Sequence, residues 1–298
     1  MKITASIVLY NSDFPIILAL VNDLLLQGVE QVFLVDNSPI NQQKDFVHIS
    51  HVTYLHNPAN PGFGAAHNIA INLSIKAGAN FHFVVNPDIQ LGDDVIISMV
   101  DYMKQNEDVG LMMPQILNTD RSIQYLPKLL PSPWSIVKRK FKLASQSYQK
   151  FIDNYELRIA SKQIYNCPII SGCFSLLNLK AVTQVGSFDE RFFMYFEDFD
   201  LSRRMHVAYQ TIYYPLVHVI HGYDSGANKS FKLLFEFVSS AITYFNKWGW
   251  FFDKERSIMD VRMIQRSLMS AQRMTWMLCL VSRTLARSSI SSVSDSTK

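Results

Sequence analysis

The residues most suited to chemistry lie between Phe188 and Asp200, where Asp189, Glu190, Glu197, Asp198 and Asp200 share a segment with six aromatic rings (Phe188, Phe192, Phe193, Tyr195, Phe196 and Phe199). An apolar surround raises a carboxylate's pKa and suits it to taking a proton from a hydroxyl. The same residues also have structural uses. Glu197 and Asp198 suit the start of a helix, and Asp200 and Arg204, one turn apart, suit a surface salt bridge. Three further clusters follow apolar runs. Val35-Asp36-Asn37 offers an acid that can accept from a nucleotide's base or ribose, or close an Asx-turn. Asn60-Pro61-Gly62-Phe63-Gly64-Ala65-Ala66-His67-Asn68 offers two glycines at a helix start, where backbone N–H groups can approach an anion; it matches neither the Walker loop nor the full dinucleotide fingerprint. Asn86-Pro87-Asp88 offers a carboxylate for a hard divalent cation on a diphosphate, or a proline turn.

Elements that position these clusters can be read from apolar periodicity. Ile3–Leu9, Gln31–Asp36, Val52–His56 and Phe81–Val85 read as strands, and Val109–Met113 as a further one. Asn11-Ser12-Asp13 offers N-cap chemistry for a helix carrying Ile17, Leu20, Val21, Leu24 and Leu25. A second helix opens after Gly62 with Ile69, Ile71 and Ile75, and a third spans Asp93–Gln105. This alternation predicts an α/β fold with a mostly parallel sheet flanked by helices, and ligands beyond the carboxyl ends of the strands. Residues 114–168, with prolines at 114, 127, 131 and 133 and the basic run Lys138-Arg139-Lys140, read as an irregular insertion holding a helix or two, a segment suited to a lid or a partner contact. Ile169–Leu177 returns to strand character, Phe192–Val207 passes from loop to helix, and Thr211–Tyr214 and Leu216–Ile220 read as two short strands. From Lys229 to about Arg287 the pattern is helical.

Composition narrows the class. The 298 residues are 48% hydrophobic and 18% charged, which excludes a disordered or fibrous chain. Cys167, Cys173 and Cys279 form no CxxC pair, so the sequence predicts neither a disulfide framework nor a zinc site and fits a reducing cytoplasm. The net charge of +3 conceals an asymmetry: residues 1–224 carry 17 Lys/Arg against 20 Asp/Glu, and residues 225–298 carry 11 against 5. Met1–Leu9 lacks a signal-peptide cleavage site, and the apolar stretch Met274–Val281 is too short to cross a bilayer.

The ordered set of motifs resembles glycosyltransferase family 2, in its bacterial rhamnosyltransferase-like branch. It comprises Ile7-Val8-Leu9-Tyr10-Asn11, Val35-Asp36-Asn37-Ser38, Asn60-Pro61-Gly62-Phe63-Gly64 with Asn68, Val85-Asn86-Pro87-Asp88, Ser171-Gly172-Cys173-Phe174, Gly186-Ser187-Phe188-Asp189-Glu190, Phe193–Leu201 and Val219-Ile220-His221. The resemblance covers residues 1–225 and implies a GT-A fold, a Rossmann-like sheet flanked by helices. It implies a catalytic domain over 1–225, with a nucleotide-sugar half (1–113) and an acceptor half (169–225), followed by a basic helical extension over 226–298. It further implies inverting transfer of a sugar from a nucleoside diphosphate donor to a hydroxyl. On that reading Leu9, Tyr10, Asn11, Asp36, Asn37, Asn60, Gly62, Gly64, Asn68 and Asn86 serve the nucleotide-sugar. Asp88 and His221 hold Mg²⁺ or Mn²⁺, Asp198 is the base, and Glu197 orients the acceptor or shares that role. The family's acid-x-acid motif reads Asn86-Pro87-Asp88 here, one carboxylate fewer.

In the tail, Arg262, Arg266 and Arg273 interleave with Met, Ile, Leu and Trp276, and Trp248, Trp250, Phe251 and Phe252 precede them. This pattern fits a basic amphipathic surface on anionic lipid, or helices packed on the catalytic domain or on a second subunit. Met and Leu between the arginines argue against nucleic acid. The leading expectation is transfer of L-rhamnose from dTDP-L-rhamnose to a lipid-diphosphate-linked saccharide of an O-antigen-type surface polysaccharide, at the inner face of the plasma membrane. A UDP-sugar donor (hexose, N-acetylhexosamine or galactofuranose) on the same fold, and a non-catalytic nucleotide-sugar binder, are the alternatives.

Overall fold

The computed structural model describes residues 1–41, 44–141, 146–158, 162–222 and 231–259. Strands β1 (Ile3–Leu9), β2 (Gln31–Asp36), β3 (Val52–His56) and β4 (Phe81–Val85) run parallel in the order β3-β2-β1-β4. Their side chains alternate between two faces. Val32 and Leu34 join the main core with α1 (Phe14–Leu26), through Ile17, Leu20, Val21 and Leu24, whereas Phe33 and Val35 pack with Ala66 and Ala70 of α2 (Phe63–Lys76) on the other side. Each fully buried Leu, Ile or Val of α1 contributes roughly 1.5–3 kcal/mol of transfer free energy. Asp13 is the N-cap residue of α1 but its side chain makes no capping bond, and Ile69 of α2 is exposed, so the sequence expectation at both positions is corrected.

The chain continues through β5 (Ile89–Leu91), α3 (Val95–Gln105), β6 (Val109–Leu117), α4 (Pro133–Phe141), α5 (Gln146–Tyr155), β7 (Tyr165–Asn166) and β8 (Phe174–Asn178). Helix α6 (Leu179–Val185), α7 (Glu197–Ala208), β9 (Gln210–His221) and α8 (Phe231–Trp248) complete the described fold. The full sheet runs β3-β2-β1-β4-β8-β6-β9-β5, with β7 on β9. Strand β8 is antiparallel to both β4 and β6. It therefore begins where β4 ends, and Asn86 N–H donates to the Cys173 carbonyl (2.8 Å) across that junction. Strand character starts at Phe174 rather than Ile169; Ile169 makes only an isolated bridge to Lys128. Thr211–Ile220 is one strand, not two: the register against β6 shifts between Pro114 and Gln115, and the irregularity takes up Pro215, which cannot donate to a ladder.

Helix α8 stops before Gly249, whose φ is +100° and where a Cβ would lie 2.9 Å from the Phe252 carbonyl oxygen. Its inner face is bound to α7. The buried Arg203 guanidinium donates to both Asp253 carboxylate oxygens (2.7 and 2.6 Å) and stacks 4.2 Å from the Trp248 ring. Asp200, fully buried, accepts from Arg204 (2.8 Å), Lys247 (2.7 Å) and the Trp248 indole (2.8 Å). The Asp200–Arg204 pair is thus part of a buried network and not the surface salt bridge that its spacing fits. The tail arginines from Arg262 onward lie outside the described residues.

Candidate active site

Helix α7 opens at the mouth of the sheet after two consecutive aromatic residues in the left-handed region, Tyr195 (φ 69°) and Phe196 (φ 65°). Bulky side chains adopt this conformation at a cost of about 1–2 kcal/mol each, and such strain persists where the surroundings over-determine it. Here the Phe196 ring is clamped by Phe199, Phe237 and Tyr244 at centroid distances of 5.2–5.5 Å. The turn aims Glu197 and Asp198 into the mouth. Asp198 accepts from the backbone N–H of Gly172 (Oδ2, 3.1 Å) and of Phe199 (Oδ1, 2.9 Å). Glu197 is buried, with no partner for its Oε2 among the described residues. Burial, then the neighbouring Asp198 charge, pushes the Glu197 carboxyl well above the usual carboxylate range. Burial raises Asp198 too, but the Gly172 N–H and the Lys128 ammonium oppose it. The result is a pair of adjacent buried carboxyls, both raised, of which Asp198 is the one that backbone N–H groups and the Lys128 ammonium draw back toward its ionised form.

Asp88 and His221 meet at the end of the β5–β9 ladder, where Ile89 pairs with His221. His221 Nε2 lies 3.4 Å from Asp88 Oδ1 and 3.3 Å from Asn86 Nδ2, and its Nδ1 lies 3.1 Å from Gln124 Oε1. Among the described residues no group of three His, Cys, Asp or Glu forms a closed metal cage. One carboxylate and one imidazole beside an amide nevertheless fit Mg²⁺ or Mn²⁺, which keep coordination positions for phosphate oxygens and water. Cys173 sits between the two acidic centres. Burial pushes its thiol up to about 12, and the Asp198 and Asp88 charges act in the same direction, so it stays a neutral packing group.

The residues expected to serve the nucleotide are gathered at the same end of the sheet, but several are engaged with the protein itself. Asp36 is fully buried and accepts from Ser38 N–H (2.9 Å) and from the Tyr54 hydroxyl (2.7 Å), so it closes an Asx-turn. Asn37, also buried, donates from its N–H to the Leu9 carbonyl (2.9 Å) and accepts from Asn57 (3.2 Å). Tyr10 is exposed, and Asn11 (φ 51°) donates its N–H to Ser38 Oγ (2.8 Å). Asn60 takes φ 44°. Gly62 (φ +104°) and Gly64 permit a close protein contact: a Cβ on Gly62 would lie 2.2 Å from the Phe193 carbonyl oxygen, and one on Gly64 2.9 Å from Phe188 Cβ. Asn68 spends its amide on Phe188, accepting from its N–H (3.0 Å) and donating to its carbonyl (2.9 Å), with a further bond to Glu190 (3.0 Å). The glycine motif therefore docks the start of α2 onto the acidic segment and so registers the nucleotide side against Glu197 and Asp198.

Two site residues carry no local sequence signal. Gln124 contacts His221, and Lys128 approaches Asp198 from the proline-rich loop, 6.0 Å from the Phe199 ring centroid. Burial, then the Arg139 charge, lowers the Lys128 ammonium to about 8, while Glu156 and Asp198 pull it up. A separate cavity of about 750 Å³, lined by Ile75, Asn80, Phe81, Met103 and Thr183, contains none of these groups.

Comparison with known proteins places this geometry. The sequence profile described as Glycosyl transferase family 2 matches residues 4–186. An N-acetylglucosaminyl-diphospho-decaprenol L-rhamnosyltransferase of Mycobacterium tuberculosis is 28% identical over 220 residues, covering 64% of this chain and 66% of that protein. Rhamnosyltransferase WbbL of Escherichia coli is 26% identical over 179 residues, covering 57% of this chain and 64% of that protein. The match thus spans slightly under two thirds of these relatives' length. Among solved structures, GalNAc-T7 with UDP, GalNAc and Mn²⁺ superposes with a TM-score of 0.56 at 12% identity, over 76% of this chain and 44% of that one. Staphylococcus aureus TarS 1–349 gives 0.53 at 12% identity, over 91% and 72%. These likenesses show the fold. The two relatives just named are rhamnosyltransferases, and with its mixed, mostly parallel GT-A sheet and its profile match over most of the chain, the protein belongs to glycosyl transferase family 2.

Proposed function

We propose that the protein is an inverting glycosyltransferase that moves L-rhamnose from dTDP-L-rhamnose to a hydroxyl of a lipid-diphosphate-linked saccharide. The observation that carries the reading is the convergence, at one end of the sheet, of the Asp88–His221 pair and the Glu197–Asp198 pair, joined through the Gly172–Cys173 turn. Asp198, whose ionised form two backbone N–H groups and Lys128 favour against burial, takes the acceptor hydroxyl's proton as the hydroxyl attacks the anomeric carbon. Protonated Glu197 donates to the acceptor and keeps a second negative charge out of the pocket. Asp88 and His221 would hold Mg²⁺ or Mn²⁺, which would neutralise the departing diphosphate. Leu9, Tyr10, Asn11, Asp36, Asn37, Asn60 and Asn86 form the wall toward the nucleotide, and Gly62, Gly64 and Asn68 hold that wall against α7.

The names of the relatives support the rhamnosyl donor and the lipid-diphosphate acceptor. We keep residues 1–225 as the catalytic domain and 226–298 as an extension that works at the inner face of the plasma membrane. Support for this comes from α8, where Phe231, Phe235, Val238 and Ile242 lie exposed at helical spacing, and from the exposed Phe251 and Phe252 beyond it. The excess of Lys and Arg over residues 225–298 suits anionic headgroups. No described helix is long and apolar enough to cross a membrane.

Thermal stabilisation by dTDP against UDP, each with Mn²⁺ and with chelator, tests the donor. Preferential, Mn²⁺-dependent stabilisation by dTDP is expected; preference for UDP would replace the donor and keep the mechanism. Stabilisation by a nucleotide without turnover of any donor, acceptor supplied, would leave a binding module.

A further inference from the structure

We propose that Gln124 is a positioning residue for His221, holding the imidazole in its Nδ1–H form so that the Nε2 lone pair stands beside Asp88 to receive a divalent cation. The inference rests on the proposed metal site and adds to it a residue that touches neither metal nor substrate.

The hydrogen-bond pattern around Gln124 leaves one consistent arrangement. One end of its amide lies 3.0 Å from the His221 carbonyl oxygen and 3.5 Å from the Leu117 carbonyl oxygen. Both carbonyls can only accept, so that end is the NH₂ group. The other end is therefore Oε1, and it faces His221 Nδ1 at 3.1 Å. Because a carbonyl oxygen has no proton to give, Nδ1 carries the hydrogen and Nε2 of the neutral ring is a bare lone pair.

That lone pair faces Asn86 Nδ2, a donor, at 3.3 Å and Asp88 Oδ1, an acceptor, at 3.4 Å. A lone pair and a carboxylate oxygen at this distance repel one another until a proton or a cation comes between them, and in the Nδ1–H neutral ring that place is open to a cation. The arrangement is that of two adjacent ligands of one ion. A ligating histidine whose other nitrogen donates to a fixed oxygen acceptor is the usual way a protein sets ring orientation and basicity.

Gln124 is itself fixed before any ligand arrives. Its side chain is buried, and its backbone N–H donates to the Ile116 carbonyl (2.9 Å), which ties it to the end of β6. His221 is set by the β9 ladder on one side and by Ile89 of β5 on the other. The pair therefore presents Nε2 with little ordering left for the metal-binding step.

The test has two readings, neither of which needs turnover. In metal-free wild-type protein at pH 8, ¹⁵N imidazole NMR of His221 is expected to show a protonated Nδ1 and an unprotonated Nε2; an Nε2–H ring there overturns the proposal without any variant. Mn²⁺ affinity, read by electron paramagnetic resonance in the presence of dTDP, is expected to fall about 10- to 100-fold in Gln124→Leu, the range for loss of such a partner. Gln124→Glu, which keeps an acceptor toward Nδ1, is expected to restore most of it. Mn²⁺ binding that survives Gln124→Leu in folded protein overturns this proposal alone. Wild-type protein that binds no Mn²⁺ overturns the metal reading and this proposal together.

Discussion

Beneath the site, β1, α2 and β4 share a buried polar cluster that makes the fold acid-sensitive in a calculable way. Ser6 Oγ bridges His67 Nδ1 and His82 Nε2 (2.7 Å each), and His82 Nδ1 meets Thr4 Oγ1 (2.8 Å) and Ser74 Oγ (3.0 Å). Both rings are fully buried, and His67 Nε2 has no hydrogen-bond partner among the described residues. Burial lowers His82 from 6.5 to about 3 and lowers His67 well below 6.5, His82 adding to the latter. The native state thus prefers both rings neutral, whereas the unfolded chain protonates them below about 6.5. Stability is complete above that pH and is lost as pH falls toward 3. Proton linkage gives a loss of about 2 kcal/mol from His82 between pH 7.5 and pH 5, with His67 adding a loss of the same sign. Thermal unfolding followed by circular dichroism is expected to show Tm lower at pH 5, by about 2–4 °C per kcal/mol lost. His82→Gln, which keeps a polar side chain without the titration, is expected to lower Tm at pH 7.5 and to flatten the difference between the two pH values. If His82→Gln retains the wild-type difference, the buried histidine is not the cause and the argument fails.

Three further outcomes follow from other contacts. Gly62→Ala and Gly28→Ala both put an alanine at positive φ, +104° and +101°, a strain of at least about 1–2 kcal/mol; the Gly62 variant also drives a Cβ onto the Phe193 carbonyl whereas that of Gly28 meets open space, so denaturant unfolding is expected to show clearly greater destabilisation for Gly62→Ala, and equal losses would contradict the packing role. Arg203→Met removes both short bonds to the buried Asp253 carboxylate and leaves it the Arg256 backbone N–H (3.0 Å) and guanidinium (3.8 Å), so it is expected to cost about 3 kcal/mol, the low end for breaking a buried pair, with the double variant Arg203→Met/Asp253→Leu recovering part of it; the half-exposed Glu255 partner adds little. Lys128→Met removes the cation that opposes the burial-driven rise of Asp198, so the acidic limb of the kcat/KM profile is expected to move to higher pH by about one unit, with Lys128→Arg returning it; an unmoved limb would separate Lys128 from the base.

How far the sequence could be read depended on whether a signal was local. Strands β1 to β4 were legible to the residue because buried parallel strands are continuous apolar runs bounded by polar turns. Ile169–Cys173 misleads because the same apolar character serves a turn buried under α7, and Pro215 reads as a break although β9 runs on through it, with three residues (215–217) extra against β6. The acidic segment was legible as a cluster. The burial of Asp200 was not, since Lys247, Trp248 and Asp253 reach it and its helix from 45 or more positions away. The Gly62–Asn68 motif stood out for its residue types, but its bonds go to Phe188 and Phe193, which pair with it only through the tertiary fold. Gln124 and Lys128 are ordinary residues in a proline-rich loop. The β6 and Ile169 contacts of that loop help make them neighbours of His221 and Asp198.

The central claim is that Asp198 takes the acceptor's proton in a metal-assisted displacement of a nucleoside diphosphate. Donor consumption measured with a lipid-diphosphate-linked acceptor, across dTDP- and UDP-sugars, with Mn²⁺ and with chelator, on wild type and a folded Asp198→Asn, tests it directly. The account predicts selective, Mn²⁺-dependent consumption of dTDP-L-rhamnose by the wild type, reduced by about 10²-fold or more in Asp198→Asn. Wild-type turnover in Asp198→Asn would contradict it.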